Sequence, residues 1–475
     1  MRLHNSYTNQ IEDFKTIDEN KVKMYVCGPT VYDNAHLGHA RCYITWDVLY
    51  RYLKFKGYDV TYCRNVTDVD DKILKKAEKE GKTPEEVSTF WYQRFSESMK
   101  ALNNLKPDIE PFATKTLGEM ISIVKDLINK GYAYEANGDV YFRVKKFPQY
   151  GYLSKQPIDQ LESGARIEVG EQKEDPLDFA LWKKDEKFGY KSPWGVGRPG
   201  WHIECSAMSR KYLGKTIDIH AGGADLIFPH HENEIAQSEC ANGCKFVNYW
   251  LHNGFVTINK EKMSKSLGNF FTVADILEHF EPETLRFFIL STHYRSPLDF
   301  SDERLKEAQR SLARLKTAQD NLKELAQLIS GGPTETSKAL YAKLEELRTG
   351  FMEAMSDDFN TALAISFMFE LAKEINIYHQ HISTGSEKPD GKLVENMEKL
   401  FAEFCGIIGV LETSAQPAAE KDASLEDKLI ETVVSLRQEA RAAKNYAQAD
   451  ALRNALTGLG IVLEDTPQGV RWKKQ

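Results

Sequence analysis

The sequence predicts an α/β fold built on a parallel sheet, interrupted once and followed by helices. Three observations predict it. A strand–helix–strand unit fills residues 22 to 66. Segments of the same kind return at 217 to 260. From about 302 the apolar residues recur at helical spacing. The chain has 475 residues, room for several ordinary cores. Its 41% apolar and 28% charged content is that of a globular protein. A formal net charge of −8 excludes a basic coat for nucleic acid but allows local basic patches. The opening MRLHNSYTNQIEDFK has no apolar core segment and no cleavage pattern, so it does not read as a secretory signal. No run approaches the roughly 18 apolar residues of a membrane helix. Seven scattered cysteines do not read as a disulfide framework, and a reducing cytoplasm is expected.

VKMYVCGP (22–29) is β-branched and apolar and ends in Gly-Pro, which predicts a buried strand entering a loop. Leu37, Ala40, Ile44, Val48 and Leu53 then fall at helical spacing. Asp33 or Asn34 is the expected cap, and Gly57 the stop. DVTYCRNV (59–66) is the second strand. This βαβ unit predicts a Rossmann-like sheet that binds ligands at the carboxyl ends of its strands. No G-x-G-x-x-G is present, which excludes the dinucleotide reading. Residues 109–200 have short segments, many aromatics and lysines and an Asn137-Gly138 turn, and read as an inserted subdomain. The core resumes after it. The helical stretch of 302–410 is broken by Gly331-Gly332-Pro333. ETSAQPAAEKDAS (412–424) is a linker by composition. The tail has helices near 425–443 and 446–457, then a short IVLED strand and a WKKQ terminus.

Two stretches suit phosphate. In CGPTVYDNAHLGHA (27–40), His36 and His39 flank Gly38 at a helix start, where unpaired N–H groups favour anions. Gly38 leaves room for a flat ring on the backbone. The alternative is two surface histidines. In NKEKMSKSLG (259–268), Lys262 and Lys265 bracket Met263 and Ser264 in a loop, and Thr272 with Asp275 caps the next helix. Two such point charges suit a triphosphate. The alternative is a solvated charge run.

Other residues suit a metal. Cys27, Cys205 in GWHIECSAMS, and His230 with Glu234 in FPHHENE supply two thiolates, an imidazole and a carboxylate, all of them zinc ligand types. A helix beginning near Pro229 puts His230 and Glu234 at i, i+4. His231 stands as an alternative to His230, and each cysteine as a small buried hydrophobe. Cys240 and Cys244 also stand at i, i+4, but no histidine is near and Gly243 weakens a helix there. Cys42, Cys63 and Cys405 lie in apolar patterns and are expected in the core.

Together, HLGH and KMSKS resemble the paired HIGH and KMSKS signatures of the class I aminoacyl-tRNA synthetases. CGPTVYDNAHLGHAR, NVTDVDDKI, GWHIECSAMS, DIHAGGADLIFPHHENEIAQSE and KMSKSLGN resemble the cysteinyl-tRNA synthetase family. So does the tail, with EARAAKNYAQADALR and GIVLEDTPQGVRW. The resemblance implies that L-cysteine is activated by ATP, with Mg2+, to cysteinyl-adenylate and transferred to the 3′ end of tRNA-Cys. It gives His36, His39 and Lys265, supported by Lys262, the catalytic roles, with Gly38, Ser264 and Ser266 also at ATP. It puts one Zn2+ on Cys27, Cys205, His230 and Glu234. Gly28, Thr30, Thr67, Trp201, His220, Gly223 and Asp225 are expected around the amino acid, with a core reading equally open for Trp201. Ala221 stands where many relatives have glycine.

The implied map is a catalytic domain at 1–108 and 201–300, with a stem-contact region at about 250–300 that includes HYRSPLDFS. The inserted connective subdomain spans 109–200, a helical bundle 301–411, the linker 412–424 and an anticodon-binding domain 425–475. Arg441, Tyr446, Asp465 and Trp472 are the expected tRNA contacts. A cytoplasmic monomer without a membrane partner is expected. Two rivals remain. A cysteine–aminosugar ligase shares this catalytic half but lacks the tail. A non-catalytic zinc-containing RNA-binding paralogue would not be expected to keep both signatures and all four ligand positions.

Overall fold

The computed structural model describes residues 1–156, 172–258, 261–263, 271–328, 331–412, 425–442, 445–466 and 469–474. An antiparallel pair, β1 (Arg2–Asn5) and β2 (Gln10–Asp13), opens the chain. Strand β3 (Lys21–Val26), helix α1 (Leu37–Phe55) and β4 (Asp59–Arg64) form the expected βαβ unit. Helices α2 (Asp71–Glu80), α3 (Pro84–Ala101) and α4 (Leu117–Asn129) follow. Strands β5 (Ala133–Ala136), β6 (Asp139–Phe142), β7 (Phe179–Lys184), β8 (Tyr190–Ser192) and β9 (Gly195–Pro199) make an antiparallel sheet in the order β5-β6-β7-β9-β8. Its first hairpin turns through Asn137 and Gly138, both at positive φ, the conformation a two-residue turn of this kind requires.

Helix α5 (Trp201–Tyr212), β10 (Ile217–Gly223), α6 (Glu232–Asn242) and β11 (Val247–Asn253) return the chain to the parallel sheet, whose order is β11-β10-β3-β4. Next come β12 (Val256–Ile258), β13 (Glu261–Lys262), α7 (Val273–Leu277), α8 (Pro282–Leu290) and β14 (Leu298–Phe300), the strands pairing as β13-β12-β14. Four long helices follow: α9 (Asp302–Ala326), α10 (Glu335–Ser356), α11 (Thr361–Ser383) and α12 (Gly391–Ile408). The tail holds α13 (Leu425–Ala442), α14 (Tyr446–Gly458) and a hairpin of β15 (Ile461–Thr466) with β16 (Gly469–Lys474). Met1–Ile377 with Pro389–Glu412 forms one compact unit, and Tyr378–Lys388 with Thr413–Gln475 a second. Ile430, Val434, Leu456, Ile461 and Leu463 form a small core in the second.

The sheet order positions the site. β3 pairs with β4 on one side and β10 on the other, so successive connections leave in opposite directions, and a crevice opens beyond the carboxyl ends of β3 and β10. Cys27 follows β3, and Asp225 follows β10. Helix α1, which borders the crevice, is buried along almost its whole length. Its buried charged residues are therefore hydrogen-bonded. Asp47 accepts from Arg286 Nη2 at 2.5 Å, Arg51 Nε at 2.7 Å and Leu105 N at 2.7 Å. Arg41 donates to the carbonyls of Ile289, His293, Tyr294 and Ser296 at 2.6–3.2 Å, which ties α1 to the segment leading into β14.

Three local expectations are corrected. The cap of α1 is His36, not Asp33 or Asn34. Lys262 belongs to β13, not a loop, because it pairs with Thr257 of β12. A second tail strand, β16, pairs with β15 where only a terminus was expected. The cap formed by Thr272 and Asp275 is present as expected.

Candidate active site and metal centre

Cys27, Cys205, His230 and Glu234 converge, all of them buried. Burial of a thiol after β3 and another inside α5 follows from the apolar pattern around them. The turn Ile227–His231 and helix α6 then bring an imidazole and a carboxylate to the same point. Cys27 Sγ lies 3.8 Å from Cys205 Sγ and 3.6 Å from Glu234 Oε1. His230 Nε2 lies 3.6 Å from Cys205 Sγ and 3.0 Å from Glu234 Oε1. Zinc bonds of about 2.3 Å to sulfur and about 2.0 Å to nitrogen or oxygen, at tetrahedral angles, separate ligand atoms by roughly 3.3–3.8 Å. The four residues fit a zinc ion in donor type and spacing. A second grouping, Cys27, His220, His231 and Glu234, shares two of them. Its imidazole His231 Nε2 lies 3.3 Å from Cys27 Sγ and 3.9 Å from Glu234 Oε1. It offers one thiol where the first offers two.

The surrounding histidines set the charges. Burial opposes ionisation of Glu234, but His220 and His230 bring its pKa down to about 2. Burial opposes protonation of His230, but Glu234 and Cys205 raise it to about 10. Burial likewise opposes ionisation of Cys205, yet hydrogen bonding with Cys27 and His230 brings it to about 6, while burial and Cys205 push Cys27 well up. Burial holds His202, His231 and His252 below the ordinary histidine range. An entering metal must therefore displace protons from the Cys27 thiol and from His230.

His230 and Glu234 are also held from behind, and further hydrogen bonds surround the cluster. His202 Nδ1 lies 2.8 Å from His230 Nδ1, and the Trp201 ring sits 4.2 Å from that of His230. His220 Nε2 donates to Glu234 Oε2 at 2.8 Å. His231 Nδ1 and His252 Nε2 share a hydrogen bond of 2.8 Å, and His252 Nδ1 lies 2.8 Å from Ser6 Oγ. Gly28 N donates to Asn65 Oδ1 at 2.7 Å. A side chain at Gly28 would put its Cβ 1.5 Å from the Asn65 carbonyl oxygen, so only glycine fits.

Beside the cluster lies a cavity of about 290 Å³. Cys27, Gly28, Thr30, His36, Gly38, His39, Trp201, Gly223 and Asp225 all line it, as does Met263. His36 and His39 form a reciprocal cap: His39 N donates to His36 Nδ1 at 3.2 Å, and His36 N to His39 Nδ1 at 3.3 Å. Their rings stack with centroids 3.6 Å apart. An accepting Nδ1 puts the proton of each neutral ring on Nε2, so both rings keep an N–H donor. Gly38 permits this, since a Cβ there would lie 2.9 Å from the His36 ring.

Other anticipated residues fall elsewhere. Thr67 is buried and donates to Glu204 Oε2 at 2.6 Å, and His220 is buried against Glu234; neither lines the cavity. Trp201 is 40% exposed, which removes the core reading. Ser264, Lys265, Ser266 and the side chains of Lys262, Asp465 and Trp472 lie outside the described residues. Arg441 lies in the last turn of α13 and Tyr446, exposed, begins α14. The backbone of Asp465 pairs with Val470 and that of Trp472 with Leu463. The histidines at 202, 231 and 252 and Asn65 were not anticipated as partners. Their sequence signal was limited to lying within or beside the quoted motifs.

Residues 13–310 match the family of tRNA synthetases class I (C) catalytic domain, 350–412 the DALR domain, and 427–472 the cysteinyl-tRNA ligase anticodon binding domain. A Cysteine–tRNA ligase of Geobacillus thermodenitrificans is 49% identical over 476 residues, covering 100% of this chain and 99% of the relative. Another, of Shouchella clausii, is 51% identical over 477 residues with the same coverage. Among solved structures, methionyl-tRNA synthetase of Mycobacterium tuberculosis bound by methionyl-adenylate aligns with TM-score 0.62 at 15% identity, over 82% of this chain and 92% of that one. The leucyl-tRNA synthetase complex of Agrobacterium radiobacter K84 aligns with TM-score 0.57 at 13% identity, over 84% of this chain and 85% of that one. These two likenesses concern the fold.

Proposed function

The chain belongs to the cysteine–tRNA ligase family of the class I tRNA synthetases, and from that premise we propose how its own residues carry the reaction. The protein is an ATP-dependent ligase for cysteine and tRNA. ATP occupies the cavity over the start of α1. His36 and His39 present Nε2–H donors to the α-phosphate, where negative charge builds as the cysteine carboxylate attacks and pyrophosphate leaves. Donors fixed in advance at that position lower the barrier without reorganising. Lys262 and Lys265, with Ser264 and Ser266, hold the departing phosphates, and Gly38 lets the nucleotide approach the backbone. The substrate carboxylate is the nucleophile, so the chain contributes none. Arg41 keeps the β12–β14 frame that carries Lys262 in register with the histidine pair on α1.

Cys27, Cys205, His230 and Glu234 hold the zinc, chosen over the second grouping because they supply both thiolates. Bound there, zinc supplies a soft Lewis acid that takes a thiol-derived sulfur in preference to a hydroxyl. Serine differs from cysteine by one atom, and shape alone separates such near-isosteres by only about 1–3 kcal/mol. Trp201 covers the side chain at this end of the cavity, and Asp225 faces the substrate ammonium or the adenosine. Gly28, Thr30 and Gly223 shape the walls, while Thr67 and His220 act through Glu204 and Glu234. In the tail, Arg441, Tyr446, Asp465 and Trp472 read the anticodon by stacking and base-edge hydrogen bonds.

The observation that carries this reading is the cluster of two thiols, an imidazole and a carboxylate beside the cavity lined by His36 and His39. Its test is cysteine attachment to a tRNA-Cys transcript. Charging that depends on the GCA anticodon is expected. Cysteine-dependent ATP–pyrophosphate exchange without charging would move the acceptor elsewhere, as in an aminosugar ligase.

A further inference from the structure

Three lysine ammoniums on and just after α2 stand over aromatic rings. Lys72 lies 5.2 Å from the Tyr32 ring centroid, Lys76 4.0 Å from Trp91 and Lys82 6.0 Å from Phe90. Tyr32 and Lys72 line the cavity itself. Tyr32 and Trp91 pack on a small apolar cluster of Val31, Val66, Ile73, Ala77 and Val87 and keep part of each ring exposed. Phe90 is 52% exposed and meets Trp91 edge to face at 5.0 Å. The platform is packed beneath and open above.

Charge follows the same line. Lys72, Lys76 and Lys79 stand at i, i+4 and i+7 on α2, one face of a helix that rises about 1.5 Å per residue. Three carboxylates of α2 are engaged. Asp71 accepts from Arg198 at 2.7 Å and lies 3.6 Å from Lys183, Glu78 pairs with Lys187, and Glu80 pairs with Lys82 at 2.9 Å. Lys76 forms long ion pairs with Asp33 at 3.9 Å and Glu80 at 4.0 Å. Lysines interleaved with aromatic faces thus lead out of the reaction cavity on a chain whose overall charge is −8.

We infer that this strip, Tyr32–Lys72–Lys76–Trp91–Phe90, is the track on which the unpaired 3′ end of the tRNA lies as it enters the cavity. Point charges beside stacking faces bind single-stranded nucleic acid without reading its sequence, and every tRNA acceptor of this reaction must bring an unpaired 3′ end to the adenylate. Lysines leave their rings for phosphates, and bases take their place on the rings. The inference rests on the ligase function above, and its test separates the two.

The test compares a full-length tRNA-Cys transcript with one trimmed of its unpaired 3′ nucleotides. Binding of each is measured to the full-length wild-type chain, to Lys72→Gln/Lys76→Gln and to Trp91→Leu. Trimming should weaken wild-type binding about tenfold, within the range of stacking and phosphate contacts on a single strand. The variants should bind the full-length transcript about tenfold less tightly than wild type and the trimmed transcript equally well. The lysine variant should also lower the salt slope of full-length binding by about 0.7 for each phosphate that its lysines neutralise in the wild type. Variants that bind both transcripts as wild type does, or lose equally on both, would overturn the track. The charge-only variant decides the matter if Trp91→Leu fails to fold. A wild-type protein that charges no tRNA would instead overturn the ligase reading.

Discussion

His202 touches the metal cluster only through His230, and its removal should loosen a metal it never meets. A metal on His230 Nε2 leaves the proton of that neutral ring on Nδ1, 2.8 Å from His202 Nδ1. His202 is then the acceptor. His202→Ala strands a buried donor, at a cost of about 1–3 kcal/mol, or roughly 5- to 150-fold in metal affinity. Loss of a partner that orients a metal-bound histidine typically costs about 10- to 100-fold, and the two ranges agree. His202 is half-buried, so water repairs part of the loss, and about tenfold is expected. The assay is competition for zinc with a chromophoric chelator, using wild type, His202→Ala and His202→Asn. Asparagine places an amide oxygen near the position of Nδ1 and should recover most of the affinity. A His202→Ala protein that holds zinc within twofold of wild type, or an asparagine variant as weak as alanine, would refute the positioning argument.

Asp47→Ala leaves Arg286, which is fully buried, without its carboxylate. A loss of about 3–5 kcal/mol in denaturant unfolding is expected, and less than about 1 kcal/mol would show that the pair is not desolvated as described. Arg198 donates to Asp185 at 2.6 Å and Asp71 at 2.7 Å. Burial opposes ionisation at both, but Phe188 N and Arg198 at Asp185, and Arg198 and Lys183 at Asp71, pull the carboxyl groups below their ordinary values. Folded values below the unfolded ones mean stability present above the ordinary carboxyl range and lost as the pH falls through the folded values. The stability deficit of Arg198→Gln should therefore be full at pH 7 and shrink below about pH 4; a deficit that does not change with pH would contradict this.

Spacing made the frame of the site legible. Leu37 to Leu53 at helical intervals marked α1, and the β-branched runs at 22 and 59 marked β3 and β4, because a buried strand and a buried helix leave periodic patterns. The cap of α1 was not legible. Asp33 and Asn34 are common capping residues, whereas histidine is not; His36 caps with its own Nδ1 on His39 N while the His39 ring reaches back to His36 N. The residue types of the metal cluster were visible in the quoted motifs, but the choice between His230 and His231 was not. Adjacent histidines entering a helix point to different sides, and both meet Glu234. The supports behind the cluster were invisible for a simpler reason. His202 to His230 and His231 to His252 are tertiary contacts between residues about twenty to thirty apart, with no period to betray them. β16 was missed because GVRWKK carries only two apolar residues, and its strand character comes from pairing with β15.

The central claim is that the metal held by Cys27, Cys205, His230 and Glu234 reads the sulfur of the substrate. The direct measurement replaces the metal with Co2+ and records the absorption spectrum with L-cysteine or L-serine added. The account predicts a new sulfur-to-cobalt charge-transfer band with cysteine and no change with serine. The same spectrum with both amino acids, or no new band with cysteine at saturation, would contradict it.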